Sequence, residues 1–353
     1  MKTTLPVITG IGSVTAYGPL AGLIPAESLV VSLEPSAITT WRTPGLRRAF
    51  LVEPFRPANI VPGLKTRRLD SLSAWALVAS SLALRDANID LGAVDRSRLA
   101  VFFATGFGCV ELTLAFYQSA AANGWAGTDP ITFPETLPNA PASHVALFHD
   151  LRGPNVTISS KSFAAESALL QAASMLRHGQ ADLAIVLAGD TLTQAVYEWY
   201  EVAQMLAPAC FNQKPLSSAP GFVPSEGVVA MVLESPDHQA VRSYAALGAG
   251  CWAAGGDALA GVRKLLGDLR PDLTICSGNG APCASRPMAN SARKLFGEGA
   301  TFYPAQPVAA GMGEASALFH LLLALSKRSG SGQALLLGTS ALGGYAALRL
   351  ELF

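Results

Sequence analysis

LRGPNVTISSKSFAAESALLQAASMLRHGQADLAIVLAGD, residues 151–190, carries the information that decides the fold. Gly153-Pro154 marks a turn, and Asn155–Ser159 then alternates polar and apolar residues as a strand does. Ser160, Lys161 and Ser162 lead directly into Ala164–Arg177, an Ala- and Leu-rich run with helical spacing, stopped by His178-Gly179. Residues 183–188 form a continuous apolar run of strand length, closed by Gly189-Asp190. Strand, tight turn, helix and fully apolar strand make up the unit of a sheet covered by helices on both faces.

The same grammar extends both ways. Upstream, residues 7–12 read as a first strand, 70–88 as an amphipathic helix and 99–104 as a buried strand. The helix places Leu72, Trp75, Ala76, Ala79, Leu82 and Ala83 on one face. Residues 109–122 read as a helix after the glycine-rich turn Thr105-Gly106-Phe107-Gly108. Downstream, Gly227–Glu234 is a strand. A shorter series follows, with helices at 262–269, 288–296 and 315–325 and strands at 273–277, 334–339 and 346–351. The expected organisation is α/β in two successive halves, residues 1–235 and a shortened 236–353, joined within 235–255.

Half of the 353 residues are hydrophobic, 14% are charged and the formal net charge is zero. Low charge with high apolar content implies a sizeable subunit interface. No basic tract occurs, which argues against a phosphate-neutralising nucleic-acid surface. Cys109, Cys210, Cys251, Cys276 and Cys283 form no CxxC pair and read as reduced, buried thiols rather than a disulfide framework or a zinc site. The opening MKTTLPVITGIG lacks a signal-type apolar region, and the apolar run 318–325 contains His320 and is too short to span a bilayer. A cytoplasmic protein is expected.

One place looks built for chemistry. A side chain at the strand-to-helix elbow faces the positive end of a helix, where a nucleophile gains acidity. Ser162 holds that position. A serine there needs an adjacent base; Lys161 is the one nearby candidate, and the plainer reading is a hydroxyl that caps the helix. None of the five histidines falls in a loop that would serve Ser162, and no metal spacing or phosphate-binding glycine motif is present.

The landmarks together resemble the β-ketoacyl synthase family of the thiolase superfamily, nearly end to end. VITGIGSVTAYG resembles its first strand and turn, and KTRRLDSLSAWALVASSLALRDANID its first long helix, with Arg67, Arg68 and Asp70 at the entry. The quoted 151–190 stretch is similar to its nucleophile region, GFVPSEGVVAMVLE to the strand closing its first half, and GTSALGGYAALRLE to its last turn and strand. The resemblance implies a layered α-β-α-β-α fold of two pseudo-duplicated halves.

It also implies what is missing. Where the family has Thr-Ala-Cys, this chain has Ser160, Lys161 and Ser162. Ser277 stands at the first catalytic histidine, Ala305 at the lysine and Ala310 at the second histidine, while Ser340 and Leu342 replace the phenylalanine gate. Decarboxylative condensation needs a thiolate and enolate-stabilising donors, which these residues do not supply. The same losses count against a malonyl decarboxylase.

A silent copy of this kind resembles the chain-length factor of type II polyketide synthases, most of all the ketosynthase partner of aryl polyene systems. That likeness implies a heterodimer, or a dimer of heterodimers, with an active ketosynthase. It implies no cofactor of the chain's own, because the acyl chain rides on the phosphopantetheine of an acyl carrier protein bound by the partner. Val110, Thr113 and Tyr117, at i, i+3 and i+7, and Thr132 match positions that set tunnel length in that family. The competing expectation is an acyltransferase or hydrolase that uses Ser162 with Lys161.

Overall fold

A computed structural model describes residues 5–30, 35–39, 41, 47–207, 221–238, 240–253, 258–277, 295–296, 302–303, 316–328, 330–340 and 344–353. Up to Glu234 the strands are β1 (Val7–Thr15), β2 (Gly18–Ala21), β3 (Ser36–Ala37), β4 (Arg48–Ala49), β5 (Leu99–Thr105), β6 (Asn155–Ser159), β7 (Leu183–Asp190) and β8 (Gly227–Glu234). Beyond it come β9 (Ala245–Ala253), β10 (Leu273–Cys276), β11 (Phe302–Tyr303), β12 (Gly332–Thr339) and β13 (Tyr345–Leu352). The helices are α1 (Ala26–Val30), α2 (Pro57–Ile60), α3 (Ser71–Asp86), α4 (Val110–Asn123), α5 (Ala140–Phe148), α6 (Ala164–Arg177), α7 (Gln194–Val202), α8 (Ala258–Leu266) and α9 (Ser316–Lys327).

Except for the β3–β4 pair, the described strands join one 11-stranded mixed sheet along the path β11-β10-β12-β13-β9-β1-β8-β7-β5-β6, with β2 beside β1. The path repeats itself. Apart from β2, β1-β8-β7-β5-β6 uses the strands of the first series in the same order as β9-β13-β12-β10-β11 uses those of the second. The directions repeat as well: antiparallel, antiparallel, parallel, parallel. The two series meet at Val7↔Ala246 and Ile8↔Ala245.

The helices repeat with the strands. α6 and α9 occupy equivalent places, before β7 and β12, and pack against each other between the two stretches of sheet. α3 covers β1, β7 and β8 on the far side, and α8 covers β9 and β13. This is the expected α-β-α-β-α layering. The Ala-rich composition of α6 has its reason here. Ala164, Ala165, Ala168, Ala172 and Ala173 are fully buried in one cluster with Phe319, Leu321 and Leu322 of α9. Small side chains let two central helices and their sheets approach closely. α9 is buried from Ser316 to Leu325, and apart from Ser316 and His320 it is apolar throughout that span.

Several expectations change. α3 is no one-sided helix: Leu77, Val78 and Leu84 are buried beside the expected stripe, while Trp75 is only half-buried. Its other side lies against α5. At Gly12 a Cβ would fall 2.1 Å from the Ala79 carbonyl oxygen, so β1 and α3 touch backbone to backbone. The segment 235–255 is no mere junction, because it contains β9, whose two glycines weaken its reading as a strand. Gly189 and Asp190 continue β7, paired with Val228 and Gly227, rather than close it. α7 had no counterpart in the sequence reading. The helix expected at 288–296 falls outside the described residues save for 295–296.

Among the described residues no helix is long and apolar enough to cross a membrane, and no cluster of His, Cys, Asp and Glu could hold a metal. Cys109 and Cys276 are buried free thiols, Cys251 is half-buried, and Cys210 and Cys283 lie outside the described residues.

Candidate functional site

β6 delivers the chain to the elbow. The Ser160 amide donates to Thr105 O at 3.1 Å, holding the strand end against β5. Ser160 Oγ then donates to Ser162 O at 2.9 Å and accepts from the Ser162 amide at 3.3 Å, which closes the turn. Phe163 takes a left-handed conformation, φ 60° and ψ 22°, as the N-cap residue of α6, with no side-chain cap. Ser162 therefore does not cap the helix, contrary to the plainer sequence reading; Ser160 makes the side-chain bonds of the turn instead. The Ser162 side chain is half-buried, and its hydroxyl makes no hydrogen bond with another described residue. A serine nucleophile requires a base within hydrogen-bond reach.

Lys161 points its ammonium elsewhere. Nζ donates to Gly106 O at 2.5 Å and lies 3.1 Å from the centroid of the Phe107 ring and 5.7 Å from that of Trp199. A carbonyl and an aromatic face are partners for a cation, not for a proton-accepting amine.

Ser277, just past β10, is buried and knitted into three elements. Its hydroxyl donates to Glu166 Oε1 at 2.5 Å, its amide donates to Leu337 O at 3.0 Å, and its carbonyl accepts from Ser316 Oγ at 2.8 Å. Glu166 sits in the first turn of α6, where a glutamate commonly folds back to cap its own helix. Here it accepts from its own backbone amide and also reaches across to Ser277. Burial pushes its carboxyl up from the usual range, against the pull of the Ser277 hydrogen bond. Gly338 makes the space, since a Cβ there would lie 2.2 Å from Glu166 Oε1 and 2.9 Å from Ser277 Oγ. Glu166 had gone unremarked in the sequence. A carboxylate on the apolar stripe of α6, three and seven residues before Leu169 and Ala173, is the signal that could have found it. Ser340 is also tied internally, exchanging two 3.0 Å bonds with Gly344. Ala305, Ala310 and Leu342 lie outside the described residues.

No histidine approaches Ser162 among the described contacts. His144 bonds Glu135 at 2.7 Å, His149 bonds Ser80 at 3.1 Å, His178 bonds Ser174 O at 2.8 Å, His238 bonds Glu234, and His320 bonds Ser316 O at 2.8 Å. Burial lowers His149 and His320 to about 4, so both are neutral fixtures at pH 7.

The second constellation surrounds α4. Asp70 Oδ1 accepts from the Leu72 amide at 2.9 Å to cap α3, and its other oxygen accepts from Leu112 at 3.3 Å in α4. Burial raises this carboxyl to about 6. Thr113 Oγ1 lies 2.7 Å from Cys109 O and 2.9 Å from Thr136 O, its one proton shared between the two carbonyls, tying α4 to the turn Phe133–Thr136. Thr132 precedes that turn and donates to Asp129 at 3.0 Å. Thr113 and Thr132 thus belong to one packed assembly, whereas Val110 packs on the cluster of Tyr197, Tyr200 and Phe222. Tyr117 stacks edge-on against Phe116 and Trp125 and is 56% exposed.

That assembly presents apolar surface to solvent. Trp125 is 70% exposed and Ile131 61%, with Leu114, Phe133 and Leu137 also exposed. Among the described strands, β6 at the end of the sheet pairs only with β5. It carries no charge and no proline, the usual guards of a free edge.

Comparison with known proteins agrees with this architecture. Residues 31–239 match the beta-ketoacyl synthase N-terminal domain. The chain is 26% identical over 248 residues to 3-oxoacyl-[acyl-carrier-protein] synthase 2 of Vibrio cholerae and 30% identical over 243 residues to Nodulation protein E of Rhizobium leguminosarum bv. trifolii. Each match covers 67% of this chain and 59% of the relative. Among solved structures, the ishigamide ketosynthase/chain length factor superposes with a TM-score of 0.72 at 21% identity, covering 99% of both chains. A type II polyketide synthase acyl-carrier protein in complex with its ketosynthase gives a TM-score of 0.73 at 17% identity, covering 100% of both chains. The repeated strand order, the elbow between β6 and α6 and the matched N-terminal domain lead to one conclusion: the chain belongs to the β-ketoacyl synthase family.

Proposed function

We propose that this chain is a non-catalytic subunit that pairs with an active ketosynthase and forms part of the wall of its acyl tunnel, in the manner of a chain-length factor. The observation that carries the proposal is the internal closure of the degenerate centre. Ser162 has no base among the described residues, and Ser277, at the family's first histidine, is bonded to Glu166. Loss of a thiolate and of an imidazole donor removes both nucleophile and enolate stabilisation. The exposed apolar face around α4 and the free edge of β6 support association with a second ketosynthase-like chain.

In this reading the partner supplies the cysteine and binds the acyl carrier protein, whose phosphopantetheine carries the growing chain; this subunit needs no cofactor. Val110, Thr113, Tyr117 and Thr132 face the tunnel, the complex is a heterodimer that can pair further, and the product is a conjugated polyene of the aryl polyene kind. The acyltransferase reading that uses Ser162 with Lys161 has no geometric support, because Lys161 is turned to Gly106 and Phe107.

The test is co-expression with an active ketosynthase, followed by product analysis. A stable one-to-one complex is expected, with Val110→Trp shortening its products. Mass spectrometry after incubation with acyl-carrier thioesters is expected to find no adduct on Ser162. A Ser162-linked acyl group, or a fully active partner without this chain, overturns the proposal.

A further inference from the structure

The turn between β5 and α4 is gripped from two sides. Asp190, buried at the end of β7, accepts from Thr105 Oγ1 at 2.6 Å, from the Gly106 amide at 2.9 Å and from the Phe107 amide at 2.8 Å. On the opposite side of the same peptide segment, Lys161 Nζ holds Gly106 O and covers the Phe107 ring. Phe107 in turn stands edge-on to Trp199 and Tyr200 of α7, with centroids 5.7 Å and 5.8 Å away. Gly108 leaves the turn with φ 69°, and Val110 begins α4 two residues later. The amides of the turn are thus neutralised by an anion and its carbonyl by a cation. Asp190 and Lys161 also feel each other, the lysine drawing the carboxyl down while burial raises it more strongly.

We infer that Lys161, at the middle of the elbow, is a positioning residue for the tunnel wall. It fixes the start of α4, and with it Val110 and Thr113, by bridging the elbow to the β5–α4 turn. The inference rests on the tunnel-wall reading proposed above, so its test carries a control for that reading.

The experiment uses the complex with the partner ketosynthase and three variants: Lys161→Met, Lys161→Arg and Val110→Trp. Methionine keeps the packing on Phe107 but lacks the donor and the charge. Hydrogen exchange at Gly106 and Phe107 is expected to speed up about tenfold in Lys161→Met, the order of effect for losing a charge-assisted contact. Its product-length distribution should broaden, while complex yield stays unchanged. Lys161→Arg should restore both the exchange rate and the narrow distribution. If Val110→Trp shifts product length and Lys161→Met does not, the positioning role is wrong and the wall reading stands. If neither variant shifts it, the wall reading itself fails. Acceleration of exchange without any change in product would reduce Lys161 to a purely structural tie.

Discussion

Ser277 and Glu166 form a buried pair whose halves can be removed separately. Ser277→Ala leaves a carboxyl in the interior without its hydroxyl partner, a change expected to cost about 1–3 kcal/mol of stability. Adding Glu166→Met to that variant removes the orphaned group and should recover most of the loss, as read by urea unfolding of both variants. Asp70 makes a prediction in pH. Its folded value of about 6 lies above the ordinary carboxylate range, so the folded state holds a proton that the unfolded chain releases. That contribution is fully present below about pH 4 and is lost as pH rises through about 6, at a rate of about 1.4 kcal/mol per unit. The groups facing Asp70 are the Leu72 and Leu112 amides, with Glu111 and Glu135 raising it further. Asp70→Asn keeps an acceptor for the Leu72 cap, so its thermal stability should not show this decline between pH 4 and 7. A slope identical to the parent's would contradict the assignment.

At the scale of elements, α4 is held at its start by Asp70 and Thr113 and has one buried side chain of its own, Phe116. Its position therefore depends on hydrogen bonds more than on packing. Thr113→Val keeps the volume and removes the hydroxyl that serves Cys109 O and Thr136 O. It should cost about 1 kcal/mol and loosen the Phe133–Thr136 turn, visible as faster hydrogen exchange there and not in α3. α6 behaves in the opposite way. Its position is fixed by alanines against α9 and the sheet, and any larger residue at Ala168 or Ala172 must displace a neighbour.

Apart from the β3–β4 pair, the described strands form one sheet built from two copies of a strand order, covered by outer helices and split by a central helical layer. Among the described residues, β6 ends the sheet unpaired on its outer side, and the α4 assembly exposes Trp125 and Ile131. If this face receives the partner, Ile131→Lys together with Trp125→Glu should abolish co-purification while leaving the fold of the isolated chain unchanged by circular dichroism. Retention of the complex would place the interface elsewhere.

The sequence alone determined the alternation of strands and helices, including β6, α6 and β8 at their observed limits, because buried apolar runs and glycine punctuation are local signals. It also supplied the identities at the elbow, since a serine is a serine whatever surrounds it. It misjudged α3, whose second buried side depends on α5, and β9, whose glycines look like a linker until β1 and β13 pair with it. The partners of Lys161, Ser277 and Asp70 lie 55, 111 and 42 residues away in the chain. Contacts across such separations leave no periodic trace in a sequence. Only the tertiary structure decided that Lys161 serves the β5–α4 turn rather than Ser162, and that Glu166 fills the space opposite Ser277.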